Sequence, residues 1–190
     1  EVLKVEEVTK AVWVGHSMGG YIVLRALEKK LPSVWKAVLA YSTVGADDEE
    51  TKEKRDKQKE EIDKLGVFHF VNKMLPTFFS DHTDEEIVEK AIRIGTPVSE
   101  LGLFTAIDAM KGRKNQQETI DTTETPVLVI EGVYDNIVKP IETANKRVEK
   151  VRTYTEHLGM MEKPHPFTTH IIQFLHDGYN PRTESLRVSS

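Results

Sequence analysis

Ser17 lies in a glycine-rich stretch with the spacing of an activated serine. Residues 15–20 read GHSMGG and match the pattern G-x-S-x-G. The apolar run 11–14 precedes this stretch and a helical pattern over 21–27 follows it, so the motif joins a strand to a helix. Glycines on both sides of the serine allow a turn that raises the hydroxyl above the sheet. A bare match also recurs by chance, but this context favours Ser17 as a nucleophile.

A carboxylate and an imidazole follow later in the chain, each shortly after a strand pattern. Asp135 comes after the β-rich run 126–130, and His157 comes after the run 151–155. Catalytic groups of parallel sheets gather at the carboxyl ends of the strands. A neutral imidazole can take the serine proton, and a carboxylate fixes the tautomer of the imidazole and stabilises its charged form. The sequence therefore predicts a catalytic triad of Ser17, Asp135 and His157.

The acid and the base each have competing interpretations. Asp135 could instead begin a helix, because Asp is a common N-terminal cap and residues 142–148 have a helical pattern. The chain contains seven histidines, and position along the chain favours His157 as the base. The other six lie inside the serine motif, in the charged middle segment or in the predicted last helix: His16, His69, His82, His165, His170 and His176.

Together these motifs resemble the α/β-hydrolase fold family, in particular its small esterase-like members with a helical cap. Residues 15–20 match the family's nucleophile elbow, residues 127–135 resemble its acid strand, and residues 157–164 resemble its histidine loop. The order Ser, Asp, His along the chain is also that of the family. The resemblance spans nearly the whole chain, although the middle segment matches only in character.

The resemblance implies a fold as well as roles at the elbow. The fold is a mostly parallel α/β sheet flanked by helices, with a helical cap inserted between strands. At the elbow, Gly15 and Gly19 make the turn, and the backbone N–H of Met18 is one donor of an oxyanion hole. The resemblance implies no metal ion and no other cofactor.

Composition divides the chain into core, insertion and core. We predict a first core segment over 1–45, a helical cap over 46–124, a second core segment over 125–176 and a flexible tail over 177–190. A further strand pattern over 33–41 closes the first core segment, and an amphipathic helix closes the second.

The predicted cap combines a charged helix with amphipathic ones. Residues 47–64 are almost all charged, which is typical of a solvated helix. Apolar residues then recur at helical spacing over 67–79, and Thr83 opens a capping box for the next helix. An amphipathic pattern over 97–113 predicts the last cap helix.

Caps of the family lie over the serine and shape the substrate pocket. By this resemblance, Phe78 and Met110 are candidates for the pocket. The alternative is that the aromatic residues of this segment only pack the cap onto the core.

Composition also argues against several classes of partner. The net charge of −5 at pH 7 argues against binding to nucleic acid or to anionic lipid. No apolar run approaches the length of a membrane span. The chain has no cysteine, which excludes disulfides, a thiolate nucleophile and a cysteine metal site. We expect a cytoplasmic protein, and the sequence leaves open whether a signal peptide precedes it.

The chain departs from the family in two ways, one in a connection and one at its start. The interval between Asp135 and His157 is short for a helix, a strand and a loop, so we expect either a trimmed connection or omitted residues. Residues 1–8 resemble the end of the helix that leads into the elbow strand, so we expect the earlier strands and the second oxyanion donor to be missing. The strand at 11–14 would then have an open edge, which a missing N-terminal segment or a second chain would complete.

The triad predicts a serine hydrolase that cleaves a small-molecule carboxylic ester through an acyl-enzyme. On the same scaffold, C–C bond hydrolysis and acyl transfer to an acceptor other than water remain open. A protein of another class could keep the triad, bind a ligand and signal through its cap. The chain could also be an inert fragment, because loss of one oxyanion donor costs about 100- to 1000-fold in rate.

Overall fold

The computed structural model describes residues 2–176, which fold around a parallel four-stranded sheet. The strands are β1 (Ala11–His16), β2 (Val34–Ala40), β3 (Val127–Gly132) and β4 (Val148–Thr153). They lie in the order β1-β2-β3-β4, and every neighbouring pair is parallel. The predicted parallel α/β sheet is confirmed, whereas the tail predicted over 177–190 lies outside the described residues.

Helices cover both faces of the sheet and form an insertion between β2 and β3. In chain order they are α1 (Val2–Val5), α2 (Met18–Glu28), α3 (Glu49–Met74), α4 (Glu85–Gly95), α5 (Glu100–Lys111), α6 (Gln117–Thr122), α7 (Gly159–Glu162) and α8 (Pro164–His176). A 3₁₀ turn (Leu75–Phe78) directly follows α3. Within residues 2–176, none of the helices is long and apolar enough to cross a membrane.

The two central strands are buried on both faces, as their continuous apolar sequences require. Along β2, Ala37 and Leu39 belong to a core cluster with Leu24 of α2. Their neighbours Val38 and Ala40 belong to a second cluster, which contains Phe174 of α8. Burial of this apolar surface is the main force that holds the helices on the sheet. It thereby fixes the carboxyl ends of the strands relative to one another.

Strand β1 forms one edge of the sheet. It pairs with β2 on one side, and no strand within residues 2–176 pairs with its other side. Apolar surface is exposed nearby, since Val14 is 53% exposed and Ile22 of α2 is 59% exposed. The open edge expected for 11–14 is therefore present in the described part of the chain. An apolar strand with unpaired backbone groups favours pairing with a further polypeptide.

The insertion is built around α3 and α5, which pack side by side. Ile62, Phe70 and Ile107 form its buried core. Two ion pairs also join these helices: Lys59–Asp108 and Lys111–Asp56. At Gly66 the backbone leaves helical geometry, with φ at 83°, so α3 consists of two helical segments. The helical insertion predicted from periodicity thus has its own small core.

The start of α4 differs by one residue from the prediction. The sequence places a capping box at Thr83, but Asp84 is the residue whose side chain accepts a backbone N–H from the first turn of α4. A carboxylate at this position also interacts favourably with the helix dipole. The Thr83 hydroxyl instead donates to the carboxylate of Glu162, at 2.8 Å.

The helix predicted over 142–148 is absent: residues 142–147 form a loop, and Val148 is the first residue of β4. The side chain of Asn145 accepts the backbone N–H two residues further on and donates to two carbonyls near α6. Such bonds compete with the backbone bonds of a helix. Strand β4 therefore begins earlier than the predicted run 151–155. The connection between Asp135 and His157 is short because it contains no helix.

Candidate active site

The structure brings Ser17, Asp135 and His157 together at the carboxyl ends of β1, β3 and β4. Nε2 of His157 lies 2.9 Å from Oγ of Ser17, and Nδ1 of His157 lies 2.9 Å from Oδ2 of Asp135. The side chains of His157 and Asp135 are 1% and 3% exposed, so water screens their interaction little. With its proton on Nδ1, His157 donates to Asp135 and can accept from the Ser17 hydroxyl through Nε2. This arrangement can activate a serine nucleophile.

Backbone geometry fixes Ser17 at the turn between β1 and α2. Its φ of 49° and ψ of −115° lie in a region that costs energy for a residue other than glycine. The N–H of Ser17 donates to the carbonyl of Ala40 at 3.0 Å. The carbonyl of Ser17 accepts from the hydroxyl of Ser42 at 2.9 Å. The strained residue is therefore held by β2 and by the segment that follows β2.

Two glycines allow backbone segments to approach each other closely at the elbow. A Cβ atom on Gly15 would collide with the backbone carbonyl of Gly19, and one on Gly20 would collide with the side chain of Ser42. A Cβ atom on Gly19 would meet nothing within 4 Å. The sequence pattern points to Gly15 and Gly19 as the elbow glycines, but the steric requirement falls on Gly15 and Gly20.

Asp135 lies in the loop after β3 and uses both of its carboxylate oxygens. Oδ2 faces His157, while Oδ1 accepts the backbone N–H of Ile137 at 2.9 Å and that of Val138 at 3.4 Å. These bonds form a turn of the kind that Asp side chains favour, and they orient the carboxylate without a helix. The alternative role of Asp135 as a helix cap is therefore wrong.

Three consecutive residues around the base each hold a backbone hydrogen bond to a different part of the molecule. The bonds run from the Glu156 N–H to the Glu162 carboxylate (2.7 Å), from His16 Nε2 to the His157 carbonyl (3.0 Å) and from the Leu158 N–H to the Phe78 carbonyl (3.2 Å). The main chain is thus held on both sides of the His157 ring.

His16 packs against the base, although its position in the motif excludes it as the base itself. The ring centroids of His16 and His157 lie 5.1 Å apart. Burial lowers the pKa of His16, the hydrogen bond to the His157 carbonyl opposes this shift, and charge on His157 lowers the pKa further. Neutral His16 can therefore donate to that carbonyl without placing a charge beside the base. Sequence reasoning missed this contact because the partner lies 141 positions away.

Comparison with known proteins identifies the architecture. No protein-family model and no curated protein matches this sequence. An esterase from Thermogutta terrifontis superposes with a TM-score of 0.83 at 23% identity, over 93% of this chain and 68% of the esterase. An enol-lactonase from Burkholderia xenovorans superposes with a TM-score of 0.80 at 17% identity, over 92% of this chain and 68% of the lactonase. The chain has the α/β-hydrolase fold.

A third structure with the α/β-hydrolase fold agrees with this assignment. It is an α/β hydrolase enzyme from a Medee basin deep-sea metagenome, with a TM-score of 0.75 at 20% identity, over 94% of this chain and 69% of its own. The resemblance read from the sequence motifs is therefore confirmed for the architecture. At these identities the comparison shows the fold, and the chemistry has to be argued from the site.

In this α/β-hydrolase fold, the N-terminus of α2 lies beside the triad. Met18, directly after Ser17, is the first residue of α2. The N–H groups of a first helical turn have no acceptor within the helix and carry partial positive charge. The backbone N–H of Met18 can therefore donate to an oxyanion that forms next to Ser17.

A cavity of about 950 Å³ lies between α2 and α5, with Met18 and Met110 in its wall. The guanidinium of Arg113 also borders this cavity, where it stacks 4.3 Å from the ring centroid of Tyr21 and pairs with Asp47. Burial raises the pKa of the Tyr21 hydroxyl. The cavity wall as a whole is mainly apolar, and the Asp47 carboxylate neutralises the guanidinium of Arg113 at its border.

The two pocket candidates lie in different places. Met110 lines the cavity, whereas Phe78 is not part of its wall. Phe78 instead meets the ring of His157 edge-on, with the centroids 5.0 Å apart. One candidate therefore contacts the base, and the other borders the cavity beside α5.

The remaining histidines lie on other elements. His69 is on α3, beside Glu61, and His82 is in the loop before α4. Three more histidines are on α8: His165, His170 and His176. In the described part of the chain, no group of three or more acidic or histidine side chains is arranged to hold a metal ion.

Proposed function

We propose that this chain carries the active site of a serine hydrolase that cleaves small carboxylic esters through an acyl-enzyme. The observation that carries the proposal is the continuous path of hydrogen bonds through Ser17, His157 and Asp135, with the base and the acid buried. The α/β-hydrolase fold supports it, and the similar structures include an esterase and an enol-lactonase. The lack of cysteine is compatible with a cytoplasmic location, which is part of the proposal.

The proposed reaction begins when Oγ of Ser17 attacks the ester carbonyl carbon while Nε2 of His157 takes the hydroxyl proton. Asp135 stabilises the resulting imidazolium through Nδ1. His157 then gives the proton to the alcohol oxygen as the C–O bond breaks. In the second half, His157 takes a proton from water, the water oxygen attacks the acyl carbon, and the carboxylic acid leaves as Ser17 regains its proton.

The Met18 backbone N–H serves in this proposal as one oxyanion donor. Charge that develops on the ester carbonyl oxygen faces the N-terminus of α2, where the helix dipole favours an anion. One donor of this kind contributes about 100- to 1000-fold in rate. Gly15 and Gly19 flank the turn that presents Ser17 beside this N–H.

The insertion acts as a cap in this proposal. Residues 46–124 form the cap over a core made of 1–45 and 125–176. The contact between Phe78 and the ring of the base supports this role, as does the cavity that α5 borders. Phe78 would contact the substrate near its reacting carbon, and Met110 would contact the part of the substrate that occupies the cavity.

Full activity also requires, in this proposal, a polypeptide segment that pairs with the free edge of β1. An N-terminal segment of a longer chain or a second chain would supply it. Without this segment, apolar surface around Val14 and Ile22 stays exposed to water. We expect the 190-residue chain alone to aggregate or to unfold without cooperativity, and addition of the segment to restore folding and activity. A sharp two-state melt of the strictly monomeric chain, with normal turnover, would contradict this requirement.

Hydrolysis of a short activated ester, such as p-nitrophenyl acetate, tests the proposed function. This test and all those below use the chain together with the segment that pairs with the free edge of β1. We expect Ser17→Ala to lose about 10³-fold or more in kcat/KM, because the acyl-enzyme cannot form. Ser33→Ala, in the turn just before β2, is the matched control and should keep wild-type activity. Equal hydrolysis by Ser17→Ala and the wild type would contradict the proposal. Tight binding of ester analogues without turnover would favour a ligand-binding protein instead.

A further inference from the structure

The carboxylate of Glu162 joins the insertion to the histidine loop. Oε2 of Glu162, in the last residue of α7, accepts the backbone N–H of Glu156 at 2.7 Å. Oε1 of Glu162 accepts the backbone N–H of Ser80 at 2.9 Å and the hydroxyl of Thr83 at 2.8 Å. Ser80 and Thr83 lie between the 3₁₀ turn and α4, whereas Glu156 directly precedes His157. Glu162 thus bridges two segments that are far apart in the sequence.

A second bond ties the same two segments together on the other side of His157. The N–H of Leu158 donates to the carbonyl of Phe78 at 3.2 Å. The ring of Phe78 also rests edge-on against the ring of His157. The residues before and after His157 are therefore both attached to segment 78–83 of the insertion, one through Glu162 and one directly.

Bonds to an ionised carboxylate are shorter and stronger than bonds between neutral groups. The Glu162 link is therefore the stronger of the two connections to segment 78–83. Loss of its carboxylate would leave the N–H groups of Glu156 and Ser80 without this acceptor, which favours a shift of the loop. The ring of His157 must satisfy Ser17 and Asp135 together, so it tolerates little displacement, and a shift of about 1 Å can cost about 100-fold in rate.

We infer that Glu162 is a positioning residue. Through it, the position of His157 depends on the docking of segment 78–83 against the histidine loop. The base is aligned between Ser17 and Asp135 only while this segment is docked against the histidine loop. Movement of the cap would then change catalysis through the base as well as through access to the pocket. The catalytic consequence rests on the proposed function, whereas the structural coupling does not.

The low-field NMR resonance of the His157 Nδ1 proton reports this coupling without any substrate, because the proton lies in the hydrogen bond to Asp135. We expect Glu162→Ala to broaden or abolish this resonance. Glu162→Gln should retain part of it, because one amide oxygen can still accept from Ser80 and Thr83. Glu149→Ala removes an exposed glutamate of β4 and is the matched control, with a wild-type resonance expected. A wild-type resonance in folded Glu162→Ala would overturn the inference.

Thr83→Val keeps the inference testable if Glu162→Ala does not fold. This variant removes only the hydroxyl bond between the insertion and Glu162. We expect it to weaken the His157 resonance, although Thr83 lies in the insertion and does not contact the triad. A wild-type resonance in both Thr83→Val and Glu162→Gln, with the melting temperature lowered as for any lost hydrogen bond, would show that Glu162 has a structural role only and would overturn the coupling.

Kinetics separate this inference from the proposed function. In ester hydrolysis, Glu162→Ala should lower kcat about 10- to 100-fold with little change in KM, since the base and not the pocket is displaced. If the wild type hydrolyses no ester but the variants lose the His157 resonance, the coupling stands and the proposed function fails. If Ser17→Ala abolishes hydrolysis while Glu162→Ala changes neither kcat nor the resonance, the coupling alone fails.

Discussion

Ser17 and His157 meet in one site, but different parts of the molecule hold them there. The elbow holds Ser17 through its own backbone, with a strained φ of 49° and hydrogen bonds to β2 and the segment after it. The histidine loop instead depends on side chains and carbonyls from three other places: the elbow, α7 and the insertion. The position of the nucleophile therefore depends on the elbow and the neighbouring strand β2, whereas the position of the base depends on three separate parts of the fold.

This difference separates two ways in which the site can fail. A change in the backbone of the elbow should damage folding and the nucleophile together, since the same strained turn joins β1 to α2 and carries Ser17. A change in the insertion or in α7 should leave Ser17 in place and act through His157. The predictions below compare the two regions on this basis.

The largest effect is expected for the base itself. His157→Ala should lose acylation of Ser17 by about 10³-fold or more, because no other group takes the hydroxyl proton. His165→Ala and His170→Ala change histidines of α8 and should keep most of the activity. The pre-steady-state burst of p-nitrophenol measures this step. An inactive His165→Ala with an active His157→Ala would show that the base is assigned to the wrong loop.

A large effect on stability is expected at the elbow. Gly15→Ala forces a Cβ atom against the carbonyl of Gly19, so it should destabilise the fold by about 2 kcal/mol or more. Gly19→Ala lies in the same motif, meets no neighbour and should be tolerated, with a gain of up to about 1 kcal/mol from helix propensity. Chemical denaturation of the two variants checks the comparison. The reverse order of stability would contradict the described elbow geometry.

A smaller effect, on the pH dependence of stability, is expected for His16, which links the elbow to the histidine loop. Because burial lowers the pKa of His16, its contribution to stability is complete above about pH 6.5. That contribution is lost as the pH falls through the lowered pKa, since the folded state resists protonation. His16→Gln can still donate to the His157 carbonyl but does not titrate. Its melting temperature should therefore fall less between pH 7.5 and pH 5 than that of the wild type.

His82→Gln is the control for this pH dependence, because His82 lies exposed in the loop before α4. We expect it to follow the wild-type curve. If His16→Gln and the wild type lose the same stability on acidification, the titration of His16 does not contribute to the acid sensitivity.

Local patterns were sufficient for the parts of the fold that depend on neighbouring residues. The apolar runs of β2 and β3 predict buried strands, because a strand between two helical layers needs apolar side chains on both faces. The elbow is also predictable from local sequence, since its glycines and its serine all fall within residues 15–20. The open edge of β1 was expected from the resemblance to the family, and it is present in the part of the chain that the structure describes.

Features that depend on distant contacts could not be predicted in this way. The helical pattern over 142–148 is outweighed by bonds from Asn145 to carbonyls near α6, which the pattern does not contain. The contacts of His16 and Glu162 with the histidine loop join segments that meet only after folding. Neither residue stands out by spacing, so the support of the base was invisible in the sequence.

Labelling with a fluorophosphonate probe tests the central claim most directly, because the probe reacts with a serine hydroxyl that a neighbouring base activates. We expect peptide mapping by mass spectrometry to find one labelled residue, Ser17, in the wild type and none in Ser17→Ala. Labelling should be strongly slowed in His157→Ala and unchanged in His165→Ala. Labelling that persists in Ser17→Ala, or that falls on another residue of the wild type, would contradict the account of Ser17 as the nucleophile.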